Sequence, residues 1–262
     1  MPSKRIINIS SVTRDKKGHY LIKAGPYSFS LNENAFTDGF YYEGKELSES
    51  DLSLLKEESN LTLLSDYAYS LLSRRNYSRH EIKEKLLQKT NNEKSVSHVI
   101  KELEKYGLLD DETYAKDYKE SREAALYGKN LILNELRYKK GISPNILEKL
   151  TFTQEKENAK KYLLRLSRSL TSYPPRVRNE KAKNALCRRG YSLDTFDPSL
   201  LEGEEDKVIN KLNFEANRAY LRYKEKYSDY ECFAHLYSFL LRKGYERDDV
   251  ENAIRSIKNE HL

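Results

Sequence analysis

The sequence predicts a mainly α-helical protein, built from tandem three-helix repeats in an elongated array and preceded by a small N-terminal β-containing region. Three observations predict this fold class: a helical period of apolar residues after about residue 50, similar segments 44 to 57 residues apart, and a polar composition. Only 38% of the 262 residues are apolar, and 34% are charged. Thin helical layers stacked in a row expose more surface per residue than one large core does, and they suit this composition.

The N-terminal region, residues 1–50, has the alternation of a small sheet. Tyr27, Phe29 and Leu31 alternate with serines, which is the period of a half-buried strand. Turn signals lie between the strand-like segments at Lys17-Gly18 and Gly25-Pro26. We predict two to four strands in this region.

From about Ser50 onward, apolar residues recur at three- and four-residue steps, so each helix buries one face and needs neighbours. The clearest stripes contain Leu61, Leu64, Ala68 and Leu71, then Val96, Val99, Ile100 and Leu103, and later Phe233, Leu236, Tyr237 and Leu240. A period of about 40 to 50 residues fits three short helices per unit. We predict helical repeats at residues 51–112, 113–153, 154–202 and 203–262.

Three of these repeats carry a basic pair followed by glycine: Lys139-Lys140-Gly141, Arg188-Arg189-Gly190 and Arg242-Lys243-Gly244. The basic side chains would complement the C-terminal dipole of a helix, and the glycine would take the left-handed position after it. The next residue (Ile142, Tyr191 or Tyr245) would fold back onto the last turn. The first repeat lacks this glycine, and we predict its turn at Asn91-Asn92.

Small residues beside aromatic ones also recur, and we predict that each lies at the beginning of a helix: Ala68, Ala115, Ala159 and Ala216. Gly107 is expected to end one helix, with Leu108 and Leu109 packed beneath it. Asp110 or Asp111 would then cap the next helix. The same reasoning predicts a cap at Asp248-Asp249, so neither acidic pair requires a metal.

Positive charge is concentrated in one stretch of the chain. Residues 156–189 contain eleven Lys or Arg against two Glu, a net charge of +9, whereas the whole chain carries +6. The remainder is therefore slightly acidic, at −3. A concentrated positive surface attracts phosphate backbones or acidic protein surfaces, and the alternative is an ordinary solvated helical face.

The motifs of common catalytic and cofactor sites are missing from the sequence. It contains no Gly-x4-Gly-Lys-Ser/Thr phosphate loop, no Gly-x-Gly-x-x-Gly after a strand, no Gly-x-Ser-x-Gly elbow and no histidine pair at zinc-binding spacing. We therefore expect no enzymatic activity, cofactor or metal. Two distant cysteines, no apolar leader in residues 1–10 and no membrane-spanning run predict a cytoplasmic protein that does not bind membranes.

Several motifs occur together in an order that resembles the RecX family. They are SLLSRRNYSRHEIKEKL at 70–86, YGLLDDETYAKDY at 106–118 (which includes Tyr114 and Ala115), Gly128, and NELRYKKGIS at 134–143. This chain has one extra residue between Leu136 and Gly141 relative to the family pattern. The clear resemblance covers about Leu61 to Leu150, and the later repeats are more diverged. A strand-containing N-terminus and a fourth helical unit are features of long family members.

The resemblance implies a fold and a function. RecX-like proteins are arrays of three-helix units that bend into a crescent and bind RecA, typically in the groove of its filament on single-stranded DNA. Most limit filament growth, and so reduce strand exchange, ATP hydrolysis and the co-protease signal of the SOS response. Some bind DNA directly. A monomer that modulates, and most often inhibits, RecA in DNA repair and homologous recombination is therefore expected.

The predicted contact residues for RecA or DNA are cations at equivalent repeat positions and in the basic stretch. They are Arg74, Arg75, Lys139, Lys140, Lys160, Lys161, Arg165, Arg168, Arg176, Arg178, Arg188, Arg189, Arg242 and Lys243. Such a ladder could follow a filament whose subunits also repeat. In the alternative interpretation, each pair only satisfies a helix end. Most of the 21 tyrosines are expected to pack in thin cores and not to stack on bases.

Two other functions remain open at this point. The first is sequence-independent DNA binding through residues 156–189 without RecA. The second is a helix-turn-helix regulator that uses the helix predicted at 78–88, although no paired recognition helix is evident.

Overall fold

The computed structural model describes residues 6–261. Residues 1–5, which belong to the predicted N-terminal region and to the segment without an apolar leader, lie outside the described residues. The described chain divides into two compact units. One contains the residues up to Ala115 together with Arg137–Ile146, and the other contains Lys116–Leu136 and the residues from Leu147 onward. Twelve α-helices and four strands are present in the described residues, which confirms the mainly α fold class with an N-terminal sheet.

The sheet contains four antiparallel strands in the order β3-β2-β1-β4. They are β1 (Ile7–Arg14), β2 (Tyr20–Ala24), β3 (Tyr27–Leu31) and β4 (Glu46–Leu47). Helix α1 (Glu33–Asp38) follows β3. The two predicted turns are present, with positive φ at Gly18 and Gly25. Phe29 and Leu31 are buried, but Tyr27, at the beginning of β3, is half exposed.

Helix α2 (Glu49–Leu72) packs against the sheet and supplies the first helix of a three-helix layer. A capping box of Ser48 and Asp51 begins it. The side chains of Ser59 and Thr62 accept hydrogen bonds from the backbone N–H groups of Ser30 and Asn32, at 2.9 and 3.2 Å. The sheet therefore continues directly into the helical part.

Helices α3 (Arg79–Leu87) and α4 (Glu93–Lys105) complete that layer with α2. Asn92 caps α4, so the turn predicted at Asn91-Asn92 is present. The core of the layer consists of the predicted stripes, including Leu64, Ala68, Val96, Val99, Ile100 and Leu103.

The remaining α-helices vary in length from 5 to 19 residues. They are α5 (Asp111–Ala124), α6 (Lys129–Asn134) continued by a π-helix (Glu135–Lys139), α7 (Pro144–Glu148), α8 (Glu155–Ser167), α9 (Pro175–Arg189), α10 (Glu205–Tyr223), α11 (Asp229–Arg242) and α12 (Arg247–His261). Two 3-10 turns, Leu193–Thr195 and Pro198–Leu200, separate α9 from α10. Helices α8 and α9 share one core, and α10, α11 and α12 share another.

Three local predictions are wrong in position. Ala115 and Ala159 lie near helix starts, but Ala68 is near the end of α2 and Ala216 is past the middle of α10, because both helices begin earlier. All four alanines are fully buried, so they allow close helix approach and do not mark starts. Leu108 is 46% exposed, and only Leu109 packs under the turn at Gly107.

The predicted acidic caps are divided between two helices. Asp110 accepts the backbone N–H of Glu112 at 2.9 Å and caps α5. Asp111 is the first residue of α5, and its carboxylate accepts the N–H of Arg79 at the start of α3, at 2.8 Å. Asp248 and Asp249 lie inside the first turn of α12, which begins at Arg247, so neither is the residue before the helix. Their charge there complements the helix dipole.

The helices from residue 6 to residue 261 include none that is both long enough and apolar enough to span a bilayer. The elongated, curved arrangement and the four repeat boundaries stay predictions.

Candidate interaction surface

The three basic pairs with glycine are joints at which a later repeat packs on an earlier helix. At Gly141, Gly190 and Gly244 φ is 65°, 90° and 87°, which confirms the predicted left-handed conformation. The next residues (Ile142, Tyr191 and Tyr245) are buried. In addition, each glycine lies against the beginning of an earlier middle helix, which the sequence did not predict.

The first joint places Gly141 on α3. A Cβ atom on Gly141 would lie 2.5 Å from the Cβ of His80, closer than real Cβ contacts. The hydroxyl of Ser78, which begins α3, donates to the carbonyl of Lys140 at 2.6 Å. The left-handed turn is therefore held by both close packing and a hydrogen bond.

Glu81 is the electrostatic centre of this joint. Its carboxylate accepts hydrogen bonds from Arg75 at 3.2 Å, from Lys140 at 2.7 Å and from the Tyr114 hydroxyl at 3.1 Å. Burial opposes its ionisation, but the hydrogen bonds from Arg75, Lys140 and the Ser78 N–H outweigh burial and lower its pKa to about 2. Arg75 also lies over the Tyr77 ring, 3.5 Å from its centre. Arg75 and Lys140 are thus engaged within the fold.

Replacing Glu81 with Gln is expected to destabilise the protein at neutral pH. The pKa difference from the ordinary 4.5 to about 2 corresponds to about 3 kcal/mol of unfolding free energy. Because the folded pKa is lowered, this contribution is complete above pH 4.5 and is lost as pH falls toward 2. Urea unfolding of wild type and variant at pH 7 and at pH 3 measures the contribution of Glu81 and its loss in acid. Equal unfolding free energies of the two proteins at pH 7 would contradict a stabilising role for the Glu81 carboxylate.

The second joint brings two backbones together without intervening side chains. Gly128 N donates to the Arg189 carbonyl at 2.8 Å, and Asn130 N donates to the Gly190 carbonyl at 3.0 Å. A Cβ atom on Gly128 would lie 2.4 Å from the carbonyl carbon of Gly190. The carbonyls that end α9 therefore satisfy N–H groups at the start of α6.

Arg189 closes the end of α5, and its side chain is half-buried. Its guanidinium donates to the carbonyls of Leu126 and Ala125 at 3.0 and 2.7 Å, and it lies 3.7 Å from the centre of the Tyr127 ring. Arg188, beside it, is exposed.

The third joint repeats the pattern at α9. A Cβ atom on Gly244 would lie 2.6 Å from a methyl carbon of Val177, in the first turn of α9. Lys243 Nζ lies 3.8 Å from the Glu215 carboxylate, while Arg242 is exposed and its Nε donates to the Ser238 carbonyl of its own helix at 3.3 Å. In the first two pairs the first cation (Lys139 or Arg188) is exposed, and the second (Lys140 or Arg189) is half-buried and donates hydrogen bonds within the fold. In the third pair Arg242 and Lys243 are both exposed.

The basic stretch has an exposed part and a buried part. On α8, Lys160, Lys161, Arg165 and Arg168 are exposed on one face, and Leu164, which lies among them, is 47% exposed. The opposite face of α8 buries Ala159 and Leu163 in the core. On α9, Arg176 is exposed and lies 3.8 Å from Glu180.

The prediction that Arg178 is a contact residue is not supported, because its side chain is buried. It is 8% exposed and donates to the carbonyls of Leu201 and Tyr173 at 3.1 and 3.0 Å. Burial lowers its pKa. Gly203 lies directly beside the guanidinium, where a Cβ would collide with it. Arg178 therefore fixes the loop that connects α9 to α10. Arg74, at the end of α2, is exposed.

Sequence reasoning missed two features. Glu81 could have been found from the capping box Ser78-x-x-Glu81, which is complete in the structure. The arginines at 218 and 222 on α10, which border a cleft with Phe239, have the i, i+4 spacing of one helix face. No cluster of three or more potential metal ligands occurs in the part of the chain that the structure describes.

Comparison with known proteins gives one consistent result. A family model described as "RecX, first three-helix domain" matches residues 66–103, which include α3, most of α4 and the end of α2. The chain is 29% identical over 255 residues to the regulatory protein RecX of Limosilactobacillus reuteri (strain DSM 20016), covering 93% of this chain and 96% of that protein. It is 24% identical over 259 residues to the regulatory protein RecX of Bacillus subtilis (strain 168), covering 95% and 97%.

A solved structure agrees with the sequence comparison. A crystal structure described as that of regulatory protein RecX matches with a TM-score of 0.61 at 26% identity, over 72% of this chain and 96% of that one.

Proposed function

The chain belongs to the RecX family of regulatory proteins, and from that membership we propose that it binds the RecA filament on single-stranded DNA and inhibits its activities. The inhibited activities are ATP hydrolysis, strand exchange and co-protease action. The protein acts by binding and not by catalysis. It acts in the cytoplasm as a monomer.

The exposed face of α8 is the observation that carries the contact proposal. Four cations surround an exposed leucine there, on a helix whose other face is anchored in a core. Apolar area at the centre of a charged rim is typical of a surface that binds protein, whereas a phosphate backbone needs only the charges. An acidic RecA surface with an apolar centre is therefore the proposed partner of this face.

The exposed cation of each joint supplies further contacts. Lys139, Arg188 and Arg242 occupy equivalent positions at the ends of helices, each directly before a second cation, and all three are exposed. Several weak contacts at a repeating spacing can add up on a filament of repeating subunits. Charge reversal at the joints should therefore be confined to these three residues, because Lys140 and Arg189 support the fold.

ATP hydrolysis by the cognate RecA on single-stranded DNA, titrated with the full chain, tests the proposal. We expect hydrolysis to fall at less than one protein molecule per RecA, because inhibition of filament growth affects many subunits at once. The readout is the rate of ADP release at several ratios of the two proteins, with bovine albumin as a control.

The competing function is binding to DNA without RecA through the same basic surface. It predicts unchanged hydrolysis together with tight binding to bare single-stranded DNA. The affinity would then fall with salt by roughly one unit of log–log slope for each phosphate contact. That pair of results would refute the RecA proposal.

A further inference from the structure

A cleft in the last repeat is separate from the α8 face and has its own chemistry. It lies between α10 and α11 and has a volume of about 420 Å³. The lining residues are Glu215, Arg218, Ala219, Arg222, Phe239 and Lys243. Three cations thus face one carboxylate, and the cleft has the size of a small-molecule site.

Two of the three cations lie over an aromatic ring. The guanidinium carbon of Arg222 lies 5.8 Å from the centre of the Phe239 ring, and Lys243 Nζ lies 5.5 Å from it. Arg218 is one helical turn before Arg222 and is exposed like it. A guanidinium fork and an ammonium point charge are the usual protein groups that bind phosphate oxygens.

Phe239 is held in place from behind. Its ring packs edge-on against Tyr223, with the ring centres 6.2 Å apart and an interplanar angle of 85°. The ring is only partly buried. A partly exposed ring next to cations is suited to stacking on a nucleobase, since every base offers a π face and needs a charge for its phosphate nearby.

Glu215 adds a hydrogen-bond acceptor to the cleft. Its Oε2 atom is buried and accepts no hydrogen bond from the residues that the structure describes. The carboxylate also lies beside the Tyr245 hydroxyl, and burial together with the charge of Glu215 raises the pKa of Tyr245. The nearest cation, Lys243, is 3.8 Å away, beyond hydrogen-bonding distance. An N–H or O–H group of a ligand would satisfy this oxygen, whereas inorganic phosphate at neutral pH would mainly repel it. The cleft therefore fits a ligand that carries donors as well as negative charge.

We infer that this cleft binds a nucleotide, with its phosphate on the three cations, its base against Phe239 and a donor of the base or sugar on Glu215. The nucleotide can be free or part of a single strand. Phe214 is 67% exposed and lies one turn before Arg218. Its ring offers a second stacking surface, which a strand of several nucleotides would use together with the cleft and a single nucleotide would not. The inference does not depend on RecA and goes beyond the proposed function.

The test uses two probes on the full chain at low salt: AMP by titration calorimetry, and a fluorescein-labelled single strand of about 12 nucleotides by anisotropy. Replacing Arg218 and Arg222 together with Gln is expected to weaken binding at least about tenfold, since two phosphate contacts are lost. Replacing Arg247 and Arg255 with Gln is the matched control. It makes the same charge change on α12 of the same repeat and should alter affinity by less than about twofold.

The probe that responds identifies the source of the nucleotide. Loss of AMP binding in the Arg218/Arg222 variant supports a site for free nucleotides, and loss of strand binding alone supports a strand contact that Phe214→Ala should also weaken. Phe239→Leu should weaken binding while the thermal unfolding midpoint stays close to that of wild type. Failure of wild type to bind either probe, or equal affinities of wild type and the Arg218/Arg222 variant, would overturn the inference. Neither result bears on RecA, which is not in the assay.

Discussion

Reversing the four exposed cations of α8 to Glu is expected to abolish inhibition of RecA while leaving the protein folded. The four cations (Lys160, Lys161, Arg165 and Arg168) face solvent and surround Leu164. Their replacement lowers the net charge of this surface by eight units without disturbing the core. Close like charges across an interface cost several kcal/mol, and inhibition should therefore weaken by about two orders of magnitude or more. RecA ATP hydrolysis on single-stranded DNA, titrated with the variant, measures the loss.

A matched variant separates this effect from total charge. Replacing Lys224, Lys226, Arg247 and Arg255 with Glu makes the same charge change at exposed positions of the last repeat. Inhibition by this control should stay close to wild type. If both variants inhibit as wild type does, the α8 face is an ordinary solvated helix surface. If both lose inhibition equally, net charge and not the α8 face determines binding.

Replacing Gly128 with Ala is expected to reduce the free energy of unfolding by about 3 kcal/mol or more, a large effect for one methyl group. The added Cβ would lie 2.4 Å from the Gly190 carbonyl carbon and 2.5 Å from its oxygen and from Tyr191 N. All three are backbone atoms. Hydrogen bonds of 2.8 and 3.0 Å hold the same segments together, so the clash cannot be relieved without breaking them. Denaturant unfolding monitored by circular dichroism measures the change.

Gly107 provides the control for this substitution. It has φ of 69°, and nothing lies within 4 Å of an added Cβ, so Gly107→Ala introduces backbone strain without a clash. That strain should cost about 1 to 2 kcal/mol. A Gly128→Ala protein as stable as wild type would show that the joint is not closely packed. Gly190 combines both effects, because its φ is 90° and a Cβ would lie 2.4 Å from Leu131 Cβ.

The joints explain why the second side chain of the first two basic pairs is held within the fold. The chain must bring a helix end against the start of another helix, and that contact leaves carbonyls and carboxylates that require donors. Lys140 and Arg189 supply those donors at Glu81 and at the end of α5. The interpretation of the pairs as helix-end donors therefore applies to Lys140 and Arg189, and the interpretation as contacts stays a prediction for the exposed cations.

Features that depend on neighbours in sequence were predictable. The period of the stripes, the turn glycines at 141, 190 and 244, the sheet and the turn at Asn91-Asn92 follow from local conformational preference and the burial of one helix face. The ordered motifs were sufficient to indicate the family. Helix starts at Ala68 and Ala216 were not predictable from the repeats, because a cap at Ser48 and packing of α10 in the last core extended those helices.

The sequence by itself determined the helical period, the left-handed glycines and the resemblance to the RecX family, since each depends on local geometry or on motif order. Only the tertiary structure decided which cations face solvent. Arg178 and Arg189 turn inward to carbonyls, and Lys160 turns outward, although all three lie in the same basic stretch. The physical reason is that a long charged side chain follows the unpaired acceptors around it, and those acceptors are brought there by segments distant in sequence.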